Sequence, residues 1–131
     1  MSDYESKKAI RYRIPKSLTE EQQEELFWKY ARYGKGNLKK EYNLEHEMSS
    51  DSGVNYSNGE SEHYLDIVLK ETYGTISGNF ADSRNITDEE ANKYLGDFKK
   101  IFPDIEKEDL RYVFYCYYNG VDAPACYDVT N

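Results

Sequence analysis

The stretch "NITDEEANKYLGDFKKIFP", residues 85–103, decides the fold. Thr87 is followed three residues later by Glu90, the pattern of a reciprocal cap at a helix start, and Ile86 can staple onto Ala91. Ala91, Tyr94, Leu95, Phe98, Ile101 and Phe102 then recur at helical spacing and make one narrow apolar stripe. Pro103 stops the run, because its ring blocks the next turn. The spacing predicts a helix whose Leu95 and Phe98 pack into the main core.

The same grammar appears upstream in "SLTEEQQEELFWKYARYGKG", residues 17–36. Ser17 with Glu20, or Thr19 with Gln22, makes the cap. Acids fill the first turns and bases the end, the order that the helix dipole favours. Leu26, Phe27, Tyr30, Ala31 and Tyr33 form the apolar stripe. Trp28 falls outside it, among Glu21, Glu24, Glu25 and Arg32.

Between and around the helices the apolar period falls to two residues, the signature of strands. "KKAIRYRIP", residues 7–15, places Ile10, Tyr12 and Ile14 on one face. "KEYNLEHEM", residues 40–48, places Tyr42, Leu44, His46 and Met48 on one face and Glu41, Glu45 and Glu47 on the other. "HYLDIVLKE", residues 63–71, turns through "TYG" into "TISGNF", residues 75–80, as a third and fourth strand. The last strands form a hairpin, "LRYVFYCYYNGVDAPACYDV", residues 110–129, about an Asn119-Gly120 turn. Its core face carries Leu110, Tyr112, Phe114, Cys116 and Tyr118. Its outer face carries Arg111, Val113, Tyr115, Tyr117, Asp122 and Asp128.

The expected class is α+β, with one antiparallel sheet of about 4–6 strands and two helices packed on one face. The order resembles a ferredoxin-like arrangement with added strands. Residues 1–7 read as a flexible polar tail and residues 8–131 as a single domain. Residues 49–62, rich in Ser, Gly and Asn, read as a mobile loop inside it.

The chain of 131 residues holds 25 acidic and 17 basic side chains, a formal net charge of −8. This excludes general affinity for nucleic acid, which needs clustered Lys and Arg, and suits a basic protein partner. No apolar run approaches the length that crosses a membrane. The N-terminus lacks the order of a secretory signal, so a cytoplasmic setting without membrane contact is expected. Two cysteines are too few for a disulfide framework, and both are expected as free thiols.

Catalytic constellations are missing from the sequence. His46 and His63 lie outside any metal-binding spacing, and Cys126 sits between Asp122 and Asp128 rather than beside a base. "YGKGN" follows a helix, so it reads as a C-cap and not as a phosphate cradle. No enzyme activity, metal or cofactor is expected.

Two surfaces read as made for contact. One is the outer hairpin strip of Tyr115, Tyr117, Asp122 and Asp128. The other is Trp28 with Glu21, Glu24 and Glu25, extended by the acidic pair Glu45 and Glu47. In composition the chain resembles immunity proteins against nuclease toxins and phage proteins that block nucleic-acid-handling defence enzymes, including anti-CRISPR proteins. That likeness implies a small acidic inhibitor, a nucleic-acid mimic whose carboxylates fill a basic groove while Tyr or Trp anchors supply desolvated area. The implied partner is a nuclease or another nucleic-acid-binding protein. A homodimer across the outer face is a further reading, and a small-ligand-sensing regulatory domain of ferredoxin-like type is the alternative function.

Overall fold

Tyr4–Arg13 forms β1, which is the middle strand of the sheet. The computed structural model describes residues 4–30, 35–55, 58–73 and 80–118. After β1 come α1 (Glu20–Tyr30), α2 (Leu38–Tyr42), β2 (Ser49–Val54), β3 (Ser61–Tyr73), β4 (Phe80–Asn85), α3 (Asp88–Ile101), a single 3-10 turn at Lys107–Asp109, and β5 (Leu110–Tyr118). The strands lie in the order β2-β3-β1-β5-β4, and every neighbouring pair is antiparallel. The class is therefore α+β. The order β2-β3-β1-β5 follows a ferredoxin-like arrangement loosely, with β4 added at the edge.

One face of the sheet carries the helices. Ile10, Tyr12 and Ile14 from the β1 segment, Leu65 and Ile67 from β3, and Leu110 from β5 meet Tyr30 of α1, Leu38 of α2, and Tyr94 and Phe98 of α3 in one core cluster. Phe98 is completely buried, whereas Leu95 packs against the cluster half-exposed. Both capping boxes form. Thr19 N donates to Gln22 Oε1 at 3.0 Å, and Gln22 N donates to Thr19 Oγ1 at 3.1 Å. Thr87 and Glu90 exchange the same pair of bonds at 2.9 and 3.1 Å. Arg84 of β4 also grips the Glu90 carboxylate through both oxygens, at 2.8 and 2.9 Å, which ties the start of α3 to the sheet edge.

Four expectations change. Residues 4–7, expected as a flexible tail, belong to β1. Ser6 and Lys7 are buried there, and Ser6 shares a 2.7 Å hydroxyl hydrogen bond with Thr72 of β3. The segment 40–48, expected as a strand, is the end of α2 followed by a loop. Asn37 caps α2 by accepting from Lys40 N, and Asn43 ends it in the left-handed region with φ 54°. The burial of Leu44 and Met48 that mimics strand alternation comes from the loop dipping into the core.

The segment 49–62, expected as a mobile loop, supplies β2 and the start of β3, paired from Ser49↔Asp66 to Val54↔Ser61. The turn between them is closed by Asn55 N donating to Glu60 O and by Gly59, whose φ of +74° few side chains tolerate. Of the hairpin expected over residues 63–80, the first strand forms as part of β3, residues 74–79 lie outside the described residues, and Phe80 opens β4, which runs to Asn85 and pairs with β5, from Phe80↔Cys116 to Asn85↔Arg111.

The closing hairpin falls partly outside the described residues, which end at residue 118. β5 itself lies where expected, but from Arg111 to Cys116 both its edges are taken, one by β1 and one by β4. The expected register of Cys116 against Ala123 and the thiol of Cys126 lie outside the described residues. Cys116 is a buried free thiol.

Candidate functional site

The sheet face away from the helices holds a buried polar cluster. Directly opposed residues of antiparallel strands share a face. The pairs Arg11↔Asp66, Arg13↔Tyr64, Asp51↔Tyr64, Ala9↔Val113 and Lys7↔Tyr115 therefore bring side chains of β1, β2, β3 and β5 onto one side. Asp66, with 0% exposure, is its centre. Arg11 clasps it with Nε to Oδ1 and Nη2 to Oδ2, both at 2.8 Å, and Lys7 Nζ donates to Oδ2 at 2.8 Å.

Lys7 also donates to Asp51 Oδ2 at 2.7 Å, and Tyr115 OH donates to the same oxygen at 3.0 Å. The Arg11 guanidinium lies over the Tyr64 ring at 4.0 Å and near the Tyr115 ring at 5.2 Å. Tyr64 OH donates to Glu62 at 2.8 Å, and Arg13 reaches the other oxygen of that carboxylate at 3.2 Å. Tyr117 stacks on Tyr115 at 5.7 Å and donates to Glu5 at 3.1 Å.

The electrostatics lock this cluster in its charged state. Burial opposes ionisation of Asp66, but the neighbouring Arg11 and Lys7 cations and their hydrogen bonds outweigh it and hold the carboxyl at about 2. Burial likewise works against the Lys7 ammonium, and Asp66 and Asp51 overcome it, raising its pKa above the ordinary lysine value. Burial pushes the Tyr115 phenol well up. Burial, then the charge of Glu5, does the same to Tyr117. An ammonium held protonated offers no lone pair, and a phenol held protonated is no base. The cluster joins strands.

Residues 43–48 show a second polar constellation. Asp97 of α3, itself buried, accepts from the backbone N–H of Glu45 and of His46 at 2.9 Å each, and sits 3.0 Å from His46 Nδ1. The His46 ring packs on Tyr94 at 5.0 Å. The carboxylate pins the loop to the helix, so His46 is a satisfied rim histidine. Among the described residues no three His, Cys, Asp or Glu side chains stand together so as to hold a metal ion.

The contact residues read from the sequence divide between the two sides of the sheet. Tyr115 is 1% exposed and Tyr117 half-buried, so the exposed aromatic strip expected on β5 does not exist. Its tyrosines are part of the helix-free face, recruited by Arg11, Asp51 and Glu5. Asp122 and Asp128 lie outside the described residues. Glu45 and Glu47 are exposed on the 43–48 loop rather than on a strand.

On α1 the outcome is different. Glu21, Glu24, Glu25 and Trp28 stand at i, i+3, i+4 and i+7, one face of a helix, and all are exposed. Trp28 is 68% exposed. Among the described residues none of Glu20, Glu21, Glu24 and Glu25 has an ion-pair partner, whereas Glu41, Glu60, Asp88 and Glu90 each hold a Lys or Arg. Beside this face a groove of about 360 Å³ opens between the helices, with Glu25 on its lip and Leu26, Tyr30, Tyr42 and Phe102 in its wall.

The polar cluster itself was missed in the sequence. Its signal is Asp66 within "YLDIVL": a carboxylate in an apolar strand demands cations on the same face, and Lys7 and Arg11 alternate with apolar residues at the same period. No protein-family model matches the chain, and no curated protein or solved structure matches it either.

Proposed function

We propose that this chain is a non-catalytic, acidic protein-binding module. It acts as an inhibitor of the immunity or phage counter-defence kind, blocking a basic nucleic-acid-handling protein through the outer face of α1. The observation that carries this reading is Trp28, an indole 68% exposed among Glu21, Glu24 and Glu25. Trp is among the most enriched of interface anchors, and carboxylates without a Lys or Arg partner among the described residues are open to a cationic one. The carboxylates steer a cationic groove toward the helix, and the indole supplies the desolvated centre. The groove beside Glu25 accepts a side chain of the partner. The fully committed charges of the polar cluster are consistent with a scaffold role for the rest of the sheet.

Trp28 is the sole tryptophan, so its emission reports on this face directly. Affinity capture from native lysate, run in parallel with wild type and Trp28→Ala, identifies candidates. A captured basic nuclease or nucleic-acid-binding protein is then titrated against purified chain. Trp28→Ala weakens binding by about 2 kcal/mol, roughly thirtyfold, and changes folding stability by less than about 1 kcal/mol. The combined Glu21→Gln, Glu24→Gln and Glu25→Gln variant associates more slowly and loses most of its salt dependence. A partner that binds all three proteins equally, with no shift of the indole emission, rules out α1 as the contact face.

A further inference from the structure

At the end of the sheet where β1 leaves and β5 begins, an open cleft of about 640 Å³ is lined by residues from four segments and by none from α1. Its volume falls in the range of small-molecule sites. Among the described residues its charged lining is Arg13, Lys16 and Arg111 against Glu62, Glu108 and Asp109. In a chain of net charge −8, a lining with equal numbers of both signs is a local departure from the whole.

Most of these charges are already engaged. Arg13 pairs with Glu62 at 3.2 Å, and Lys16 pairs with Glu60 on the rim at 2.5 Å. Asp109 accepts from Glu106 N at 2.8 Å. Two charges differ. Arg111 donates only to neutral oxygens, to Ser83 Oγ at 2.8 Å and Asn85 Oδ1 at 2.9 Å, so its positive charge meets no carboxylate among the described residues. A guanidinium has five N–H donors, and these contacts leave some unused. Glu108, exposed, has no hydrogen-bond or ion-pair partner among the described residues. The two are three positions apart, so their backbones lie within about 10 Å of each other.

The geometry points to a binding site for a small zwitterion, a free α-amino acid, with its carboxylate on Arg111 and its ammonium on Glu108. A guanidinium is the preferred receptor for a planar carboxylate. The pairing selects against singly charged molecules, because each would leave one of the two protein charges unanswered. It also selects against peptides, which separate their terminal charges.

The test is a titration of the full chain, followed by amide chemical shifts, with L-alanine as the minimal probe and acetate and methylamine as its single-charge halves. L-Alanine produces saturable shifts at residues of the cleft, and each half binds at least tenfold more weakly, as expected when one charged hydrogen bond is lost. Glu108→Gln weakens L-alanine tenfold or more and leaves acetate unchanged, whereas Arg111→Gln weakens both. Because Arg111 also joins β5 to β4, Glu108→Gln, an exposed change, carries the test if the Arg111 variant fails to fold. Shifts that do not saturate, acetate equal to L-alanine, or an unchanged affinity in Glu108→Gln each overturn the assignment.

Discussion

Asp66→Ala lowers the stability of the folded chain by about 3–5 kcal/mol, because it takes from the buried Arg11 its doubly bonded carboxylate and from Lys7 one of its two. A domain has a total stability of only about 5–15 kcal/mol, so the loss is a large fraction of the whole. Lys7 keeps Asp51 as a partner after the change. Arg11, 1% exposed, loses both short bonds to a carboxylate and is left with longer contacts, 3.4 Å to Asp51 and 3.3 Å to the Tyr115 hydroxyl, beside the faces of two tyrosines. Asp51→Ala costs less, since its carboxylate is 32% exposed and water can take its place.

Urea unfolding at neutral pH measures both. The pH profile adds a second reading. Asp66 is held at about 2, below the ordinary carboxylate value of about 3.9, so its contribution is complete above pH ~4 and disappears as pH falls toward 2. Lys7 is raised, so its contribution is complete below the ordinary lysine value of about 10.4 and is lost only as pH rises through its higher folded value. Wild type therefore shows a larger acid-side loss than Asp66→Ala, in which Glu90, also held at about 2 by Arg84, still titrates. An Asp66→Ala variant within about 0.5 kcal/mol of wild type, the range of ordinary surface changes, shows that the cluster does not hold the strands together.

Phe98→Ala has a comparable effect from the opposite side of the sheet. The ring is fully buried at the meeting point of α3 with the strand core, and its removal costs about 3–5 kcal/mol in lost transfer energy and residual cavity. Leu95→Ala, one turn earlier and half-exposed, costs about 1 kcal/mol. The two belong to the same apolar stripe, so the ranking tests which edge of it faces inward. Equal losses rotate α3 by most of a residue about its axis.

The elements legible in the sequence are those whose signals are local. Thr87 with Glu90 and Thr19 with Gln22 cap helices by contacts across three residues, and the apolar stripe behind Thr87 needs only the helical period. The strand faces of β1 and β5 were equally plain, since Ile10, Tyr12 and Leu110 do meet α3 and α1. The misreadings share a different cause. Leu44, His46 and Met48 alternate like a strand, yet Asp97, some fifty positions away, captures the backbone N–H groups that a sheet would need.

Ser49–Val54 has the composition of a loop, but Asp51 answers Lys7 and the segment pairs along β3. Tyr115 was placed on the correct side of its strand and given the wrong surroundings, because polar residues on the facing strands mark a surface only when their charges go unpaired. At the candidate site, the spacing of Glu21, Glu24, Glu25 and Trp28 was readable, and the covering of Tyr115 and Tyr117 was not.

The central position of β1 bears on how the chain comes to be made. Its residues leave the ribosome before those of every other strand described, yet one of its two edges is closed only by β5, with Tyr12 pairing with Leu110 and Tyr4 with Tyr118. At a synthesis rate of about 5–20 residues per second, that edge waits on the order of 5–20 seconds for its partner. During the wait Ile10 and Tyr12 line a strand whose hydrogen bonds are unsatisfied on one side, a template for pairing with another nascent chain. Sheets built from such distant segments close slowly after release as well, since the loop must be drawn in before any contact rewards it. Lys7 and Arg11 sit on this same strand. Until Asp51 and Asp66 arrive, two like charges on the strand disfavour its pairing with a second copy, as charged side chains do at exposed sheet edges.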